Sequence, residues 1–289
     1  MALGNLAQRF LVAVVAVPIL LLVLYYHRPE PTFALVFAAS IIAMREFFAM
    51  TLPVEDRTPS LVIGAVATAA FYWLAVKSLQ PYAPDVPLPL AFLAVDGPSI
   101  AVAFAVIAPG LYYLFRFRTI ETVAARYAAT VAGIVYTGFL TIYLAKLKLV
   151  DPNHAGDTVI LVLAVAWVAD TGAYFAGRFL GKSKLYEAVS PKKTWAGAWG
   201  GLAGSLIGAI GLKLVSASWL TWTDVVAIAI PGGVLGQLGD LAESLLKRSV
   251  GVKDSGALLP GHGGLLDRID AVLFIAPYVY AYLLVAHRA

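Results

Sequence analysis

Long apolar segments separated by short polar loops recur along the whole chain. A helix that crosses a bilayer needs about 20 apolar residues. The fourth segment contains Asp96-Gly97-Pro98, so it is either one kinked helix or two shorter elements. No convincing small-residue cleavage site follows the first segment, so we interpret it as an uncleaved anchor. The pattern predicts about nine membrane-spanning helices, near residues 6–26, 32–50, 60–80, 88–115, 122–146, 158–180, 195–216, 222–246 and 268–287.

The composition supports this interpretation. The 289 residues are 61% hydrophobic and 13% charged, with a mean hydropathy of +0.83, whereas a soluble domain is about 25% charged. The chain has no cysteine, which excludes disulfides, thiolate zinc sites, Fe–S clusters and thiol nucleophiles. We predict an all-α polytopic membrane protein and one integral membrane unit. Its N-terminal transmembrane helices would be residues 1–150, and residues 151–289 would form the C-terminal part, which contains the motifs described below.

The distribution of Lys and Arg predicts the orientation of the chain. The net charge is +4, and in membrane proteins excess Lys and Arg mark the cytoplasmic loops. Residues 81–87 and 217–221 contain neither, although Lys146 and Lys148 lie on the wrong side of this scheme. We therefore expect these basic loops, and any polar cavity between them, to open to the cytoplasmic side of a bacterial inner membrane. The basic loops contain Arg116, Arg118 and Arg126; Arg178, Lys182, Lys184, Lys192 and Lys193; and Lys247, Arg248, Lys253 and Arg268.

Several acidic residues fall inside or at the ends of predicted spans. An ionisable group there costs about 2.5–3.5 kcal/mol, so it usually faces a polar cavity or a partner. One interpretation is that acids and bases pair only to lower this cost. The other is a site for a hard cation such as Mg²⁺, which prefers carboxylate oxygen. We expect Asp240 and Asp267 to be the main metal ligands, with Asp254 and Asp270 as supporting ligands.

Two polar segments near these acids suit phosphate. The residues from Pro260 to Gly264 can expose consecutive backbone N–H groups before the last helix. The residues from Ser190 to Trp195 offer two lysines and two hydroxyls, although an ordinary basic loop at a membrane surface would look similar. His262 is the single histidine among the glycines and is either a turn residue or a catalytic group. No basic stripe with interleaved aromatics occurs, so we expect no nucleic-acid partner.

The C-terminal part contains a series of polar motifs, which are Ser244, Lys247-Arg248, Lys253-Asp254, His262-Gly263-Gly264 and Asp267-Arg268-Ile269-Asp270. These motifs resemble the signature of the phosphatidate cytidylyltransferase (CDP-diacylglycerol synthase) family. Segments 170–182 and 190–197 also resemble that family, and the likeness covers about residues 165–280. One position departs from the pattern, because Ala196 stands where family members usually have Glu.

The resemblance implies an Mg²⁺-dependent reaction of CTP with phosphatidic acid that gives CDP-diacylglycerol and pyrophosphate, with a second cation and a homodimer as further options. CTP, phosphatidic acid and membrane lipid are the expected partners. The expected catalytic residues are Asp240, Asp267, Lys247, Arg268, Asp254 and His262, with Asp240, Asp267, Asp254 and Asp270 at metal. The expected substrate-binding residues are Ser190, Lys192, Lys193, Thr194, Ser244, Arg248, Lys253, Gly263, Gly264, Asp170, Tyr174 and Arg178.

Three alternatives remain open at this point. A cation-coupled transporter could use intramembrane acids, but such proteins often contain an internal repeat, and none is visible in this sequence. A related enzyme acting on another lipid nucleotide or on a polyprenyl phosphate would keep the same metal chemistry. The departure at Ala196 also allows a catalytically impaired homologue.

Overall fold

The structure, a computed structural model, describes residues 14, 17–78, 88–151, 153–256 and 263–287, with backbone alone for 74–78 and 88–98. These ranges are predominantly helical, which confirms the predicted all-α class. Residues 17–25 are helical. The elements that follow are α1 (Glu30–Thr51), α2 (Val54–Ser78), α3 (Leu88–Arg116), a 3₁₀ turn (Ile120–Thr122), α4 (Val123–Gly133), a π-helical segment (Ile134–Phe139), α5 (Thr141–Leu147), α6 (Ala155–Leu180), β1 (Lys184–Tyr186), β2 (Ser190–Thr194), α7 (Trp195–Val215), α8 (Trp222–Ser249) and α9 (Leu266–Ala286).

Within the described residues, seven helical stretches are long and apolar enough to cross a membrane, and the chain is a polytopic membrane protein. The predicted third span corresponds to α2, which is helical but lies outside this set. Residues 6–13, 15 and 16 of the predicted first span fall outside the described residues, so the count of nine stays a prediction. The seven are Glu30–Thr51, Ser99–Arg116, Ile120–Leu147, Ala155–Leu180, Trp195–Val215, Trp222–Ser249 and Leu266–Ala286.

Two predicted spans differ in detail. The fourth is the single helix α3, which continues through Asp96-Gly97-Pro98. The fifth is divided into a 3₁₀ turn, α4, a π-helical segment and α5. Within it, the Thr137 hydroxyl donates to the Gly133 carbonyl at 2.7 Å. The Leu140 N–H reaches back five residues to the Val135 carbonyl at 3.1 Å. This widening of the helix leaves no mark in the apolar pattern, which is why the sequence predicts a regular span.

A small antiparallel hairpin, β1–β2, joins α6 to α7, with Lys184 opposite Thr194 and Tyr186 opposite Ser190. The sequence does not predict it, because the segment is polar and lacks the alternation typical of half-buried strands. Thr194 ends β2 and also caps α7, since its hydroxyl accepts the Gly197 N–H at 3.1 Å. The hairpin therefore sets the position of Lys192 and Lys193 relative to the start of α7.

The chain divides into two compact units, and the larger comprises the described residues of 1–32 and 143–289. Its core is formed mainly by α6, α7, α8 and α9. The backbones of α6 and α7 approach closely: a Cβ added at Gly204 would lie 2.4 Å from the Val168 carbonyl oxygen, and one at Gly172 would lie 2.3 Å from that of Gly200. Small residues allow such close packing of helices in lipid. This packing fixes the positions of the two helices that flank the hairpin relative to each other.

The smaller unit comprises residues 33–142 and contains a buried ion pair. The Arg126 guanidinium donates to the Asp56 carboxylate at 2.8 Å, and the Asp56 side chain is fully buried. The Tyr112 hydroxyl donates to the same carboxylate at 3.0 Å. Because the charge on Asp56 is both paired and hydrogen-bonded, it is tolerated in the interior.

Lys148, which contradicts the predicted orientation scheme, is buried in the larger unit. Its ammonium donates to the carbonyl oxygen of Leu24 and, at 2.8 Å, to that of Tyr26. Burial lowers the pKa of this lysine. Cations are stabilised at the C-terminal ends of helices, and residues 17–25 form a helix. A local capping role therefore explains Lys148 without any change in the orientation of the chain.

Candidate active site

A cavity of about 560 Å³ lies in the larger unit, among α6, β2, α7, α8 and α9. Towards the middle of the helices its wall is apolar and includes Val165, Gly233 and Ile275. Charged groups lie towards the hairpin, where α6 ends and α9 begins. This arrangement brings together segments that are far apart in sequence. The polar and charged residues of the wall are Asp170, Tyr174, Arg178, Lys192, Lys193, Thr194, Gln237, Asp240, Lys247, Asp267, Arg268 and Asp270.

Asp240 is paired with the hairpin. The Lys193 ammonium lies 2.7 Å from Oδ2 of Asp240, and both side chains remain partly exposed. On the same helix, one turn later, the Ser244 hydroxyl donates to Oδ1 of Asp240 at 3.4 Å. Asp240 therefore lines the cavity and bridges α8 to the segment that contains the two lysines.

Lys247 lies between two carboxylates. Its ammonium is 2.5 Å from Oε2 of Glu243, one turn earlier on α8, and 2.6 Å from Oδ1 of Asp267 on α9. Glu243 is only 1% exposed, so its charge depends on Lys247 for compensation. Two acids and one base give this group an excess negative charge when all three are ionised.

Asp267 also organises the polypeptide before α9. Its carboxylate accepts the Ser255 N–H at 3.1 Å and the Gly264 N–H at 2.9 Å. Gly263 adopts a φ of +76°, and a Cβ there would lie 2.8 Å from Oδ2 of Asp267. A glycine is therefore required at this position. In this structure, an N–H group of the predicted anion-binding segment holds a carboxylate of the chain itself.

A second acidic group lies deeper in the wall. Asp170 on α6 and Asp270 on α9 lie near enough to Asp240 for the carboxylates to repel one another when they are ionised, and Lys193 and Arg268 are near enough to attract Asp170. Asp270 is 8% exposed, and its Oδ1 accepts the N–H of Ala271 at 2.6 Å. Three helices thus contribute acids that repel one another, which is the arrangement that a bound cation relieves.

The donor set suits a hard divalent cation. Among the described residues, no three Asp, Glu or His side chains lie close enough together to hold a metal ion by themselves. Mg²⁺ does not need such a cage, because it commonly takes one or two carboxylates and completes its shell with water and phosphate oxygen. Carboxylates such as Asp240 and Asp267 at the cavity wall fit that chemistry.

Of the other predicted site residues, some line the cavity and others lie away from its wall. Tyr174 and Arg178 belong to the cavity wall, and the guanidinium donates to the Tyr174 hydroxyl at 2.6 Å. Ser190 begins β2 and is half-buried. His262 lies outside the described residues.

Three predicted residues are exposed near the end of α8. Arg248 lies in its last turn and donates to the Val252 carbonyl at 2.8 Å, and Lys253 and Asp254 follow the helix. Ala196 lies half-buried on the first turn of α7.

Two residues at or next to the cavity wall were not among the predicted site residues. Gln237 lines the cavity, and its amide donates to the Ala198 carbonyl at 3.1 Å. Glu243 supports Lys247 and Asp267, as described above. Its spacing, three residues after Asp240 and four before Lys247, places Glu243 on one helical face with both, although the sequence assigns it no role in the site. Gln237 gave no comparable signal, since a single amide in an apolar helix has many roles.

The sequence is similar to several curated proteins that are named phosphatidate cytidylyltransferase. The protein from Synechocystis sp. is 34% identical over 253 residues, which are 76% of this chain and 85% of that protein. The protein from Brucella suis is 42% identical over 151 residues, 52% of this chain and 55% of that protein. The one from Bacillus subtilis is 41% identical over 146 residues, 50% and 54% respectively.

These matches differ in extent: the chain spans about half the length of the Brucella and Bacillus relatives. The sequence pattern of the cytidylyltransferase family as a whole covers more, because it matches residues 7–286. The resemblance predicted from the motifs is thereby confirmed. The matched range also includes the N-terminal helices, where the motifs alone gave little indication. The chain therefore belongs to the cytidylyltransferase family.

Proposed function

We propose that this protein is a phosphatidate cytidylyltransferase, which converts CTP and phosphatidic acid into CDP-diacylglycerol and pyrophosphate. The observation that carries the proposal is the cavity, whose acids and bases come from the motifs that resemble the family. Family membership favours this enzyme over a cation-coupled transporter. A phosphate monoester has a second pKa near 6, so the lipid nucleophile is largely dianionic at neutral pH and needs no dedicated base.

The main difficulty of this reaction is the repulsion between two anions. An oxygen of the lipid phosphate forms a bond to the α-phosphorus of CTP, and the bond to the bridging oxygen breaks to release pyrophosphate. Lys192, Lys193 and Arg268 would bind phosphate oxygens and offset this repulsion. Lys247 would donate to a phosphate oxygen at the same wall, where Glu243 and Asp267 already offset its charge. Tyr174 and Arg178 would orient substrate at the hairpin end of the cavity.

We further propose Mg²⁺ as the cofactor, with room for a second cation. Asp240 and Asp267 would be its principal ligands, and Asp270 and Asp254 would support them. When bound, Mg²⁺ neutralises phosphate charge and stabilises the pyrophosphate that leaves. The repulsion that Asp240 exerts on Asp170 and Asp270 supports a cation at this wall. Ser190, Thr194, Ser244, Arg248, Lys253, Gly263, Gly264 and His262 remain candidates for substrate binding or catalysis.

We place the protein in a bacterial inner membrane, with the cavity on the cytoplasmic side where CTP is available. The Lys and Arg residues of the hairpin support this orientation. In this proposal, residues 151–289 contain the catalytic site and residues 1–150 form further membrane helices. A homodimer remains the proposed assembly.

The decisive experiment measures pyrophosphate released by purified protein in mixed micelles. We expect release only when CTP, phosphatidic acid and Mg²⁺ are all present, with CDP-diacylglycerol formed in equal amount. Replacing CTP with UTP, or phosphatidic acid with diacylglycerol, should stop the reaction. Absence of turnover in lipid conditions that keep the protein folded would contradict the proposal and favour a catalytically impaired homologue.

A further inference from the structure

The hairpin end of the larger unit presents positive charge outside the cavity. From Arg178 to Lys193 the sequence has five Lys or Arg and a single acid, Glu187. Arg178, Lys192 and Lys193 line the cavity, whereas Lys182 and Lys184 are not part of its wall. Lys182 and Lys184 are exposed. The Lys184 ammonium donates to the Pro191 carbonyl at 2.5 Å, which keeps it beside the second strand. The proposed reaction assigns no role to Lys182 or Lys184.

Large exposed aromatic side chains lie on both helices that flank the hairpin, near the helix ends that it joins. Phe175 and Phe179 stack with ring centroids 6.3 Å apart near the end of α6, and Phe179 is 73% exposed. Trp195 and Trp199, at the start of α7, are 52% and 66% exposed. Aromatic rings next to Lys or Arg are typical of the membrane–water interface, where apolar parts contact lipid and polar groups meet headgroups. We call Lys182, Lys184, Phe175, Phe179, Trp195 and Trp199 the basic aromatic surface.

We propose that the basic aromatic surface binds the anionic headgroups of phospholipids in the surrounding leaflet. Its charge is complementary to anionic lipid and gives no advantage to zwitterionic lipid. Its aromatic groups require an occupant with acyl chains, so the occupant is a lipid and not a free phosphate ion. Each Lys near an anionic leaflet strengthens the attraction by about fivefold. Anionic lipid is therefore enriched beside the end of the cavity that contains Arg178 and Lys192.

Tryptophan fluorescence can report this enrichment without any turnover. The full chain, which has six tryptophans, is reconstituted in bilayers of equal parts phosphatidylglycerol and phosphatidylcholine. Bromine is placed on the acyl chains of one lipid at a time, because it quenches tryptophans that it contacts. We expect brominated phosphatidylglycerol to quench at least about twofold more than brominated phosphatidylcholine. The double variant Trp195→Phe/Trp199→Phe should lose this difference, which assigns the signal to the surface.

Charge variants on the same hairpin provide matched controls. We expect Lys182→Gln/Lys184→Gln to bring the two quenching values towards equality and Glu187→Gln to move them further apart. Salt at about 0.5 M should weaken the preference, since it screens exposed charges. Equal quenching by both lipids in the wild-type protein, or an unchanged preference in the lysine variant, would overturn the proposal. The experiment needs neither CTP nor Mg²⁺, so its failure is independent of the proposed reaction.

Discussion

At the scale of single residues, Asp240 and Asp267 have similar proposed roles but different surroundings. Asp240 is partly exposed and contacts Lys193, whereas Asp267 is more buried and accepts from Lys247, Ser255 and Gly264. We expect Asp240→Asn and Asp267→Asn each to lower turnover by well over tenfold (about a hundredfold, by analogy with lost metal-site groups). Steady-state pyrophosphate release measures this effect.

The two variants should differ in stability, which separates the catalytic effect from a folding effect. Asp267→Asn weakens the contacts that hold the polypeptide before α9, so its thermal unfolding should shift more than that of Asp240→Asn. A folded variant that kept more than about a tenth of wild-type turnover would remove that carboxylate from the proposed metal ligands.

Glu243 offers a second test, because its charge acts through Lys247. In Glu243→Gln the ammonium keeps a single full counter-charge, Asp267, so Lys247 competes more strongly with a cation for that carboxylate. We expect the Mg²⁺ concentration for half-maximal turnover to rise about tenfold, as is usual when an outer partner of a metal ligand is removed.

The conservative variant Glu243→Asp keeps the charge and should restore part of the Mg²⁺ response. A purely structural role for Glu243 would instead lower the unfolding temperature of Glu243→Gln while leaving the Mg²⁺ concentration for half-maximal turnover unchanged. Comparing the Mg²⁺ titration with thermal unfolding of the same samples distinguishes the two roles.

The sequence was informative about which residues carry charge near the site and less so about their contacts. Helical spacing and scarcity of charge singled out Asp240, Lys247 and Asp267, and all three line the cavity. The pairing of Lys193 with Asp240 was not predictable, because it depends on a hairpin that positions the lysine opposite α8. Partners from separate segments follow from tertiary packing, which the spacing along one segment does not encode.

At the scale of elements, the contact between α6 and α7 can be tested with two glycines of the same helix. A Cβ at Gly204 would lie 2.4 Å from the Val168 carbonyl oxygen, whereas one at Gly211 would meet nothing within 4 Å. We expect Gly204→Ala to destabilise the protein by about 1–3 kcal/mol, the usual cost of overpacking. Thermal unfolding in detergent gives the measurement.

Gly211→Ala is the matched control. It adds the same methyl group to the same helix but without a clash, and Ala favours helix by up to about 1 kcal/mol over Gly. Its stability should therefore be unchanged or slightly higher. Equal destabilisation of both variants would show that any added methyl group on α7 is harmful, and the proposed close packing would lose its support.

Elements were predictable to the extent that their apolar length was sufficient. The later spans match α6 to α9 within a few residues, because each is a continuous apolar run with polar ends. The π-helical segment depends on threonine hydroxyls that bond to the backbone, and the hairpin depends on pairing between strands. Neither leaves a periodic apolar pattern, so neither was predicted.

At the scale of the whole molecule, packing groups elements that are far apart along the chain. Helix 17–25 belongs to the same compact unit as residues 143–289, and the predicted boundary between residues 150 and 151 stays a prediction. Lys148 illustrates the reason: it caps the carbonyls of Leu24 and Tyr26, far away in sequence. Hydropathy alone orders spans along the chain and carries no information about which spans pack together.

Orientation is the property of the whole molecule that the Lys and Arg pattern predicts most directly. The chain has no cysteine, so a single introduced cysteine is a unique label. Ser183 precedes the hairpin and Ser218 follows α7, and both are exposed. Because α7 is long and apolar enough to cross a membrane, we expect Ser183→Cys and Ser218→Cys to lie on opposite sides. Both variants replace an exposed serine with a cysteine of nearly the same size, so each serves as the control for the other.

With the hairpin in the cytoplasm, a membrane-impermeant maleimide added to intact cells should label Ser218→Cys and leave Ser183→Cys unlabelled. Inverted membrane vesicles should give the opposite result. If Ser183→Cys were labelled from outside, the cavity wall that contains Lys192 and Lys193 would face away from cellular CTP. The proposed reaction requires CTP and the lipid phosphate to meet at that wall, so reversed labelling would contradict both the orientation and the function.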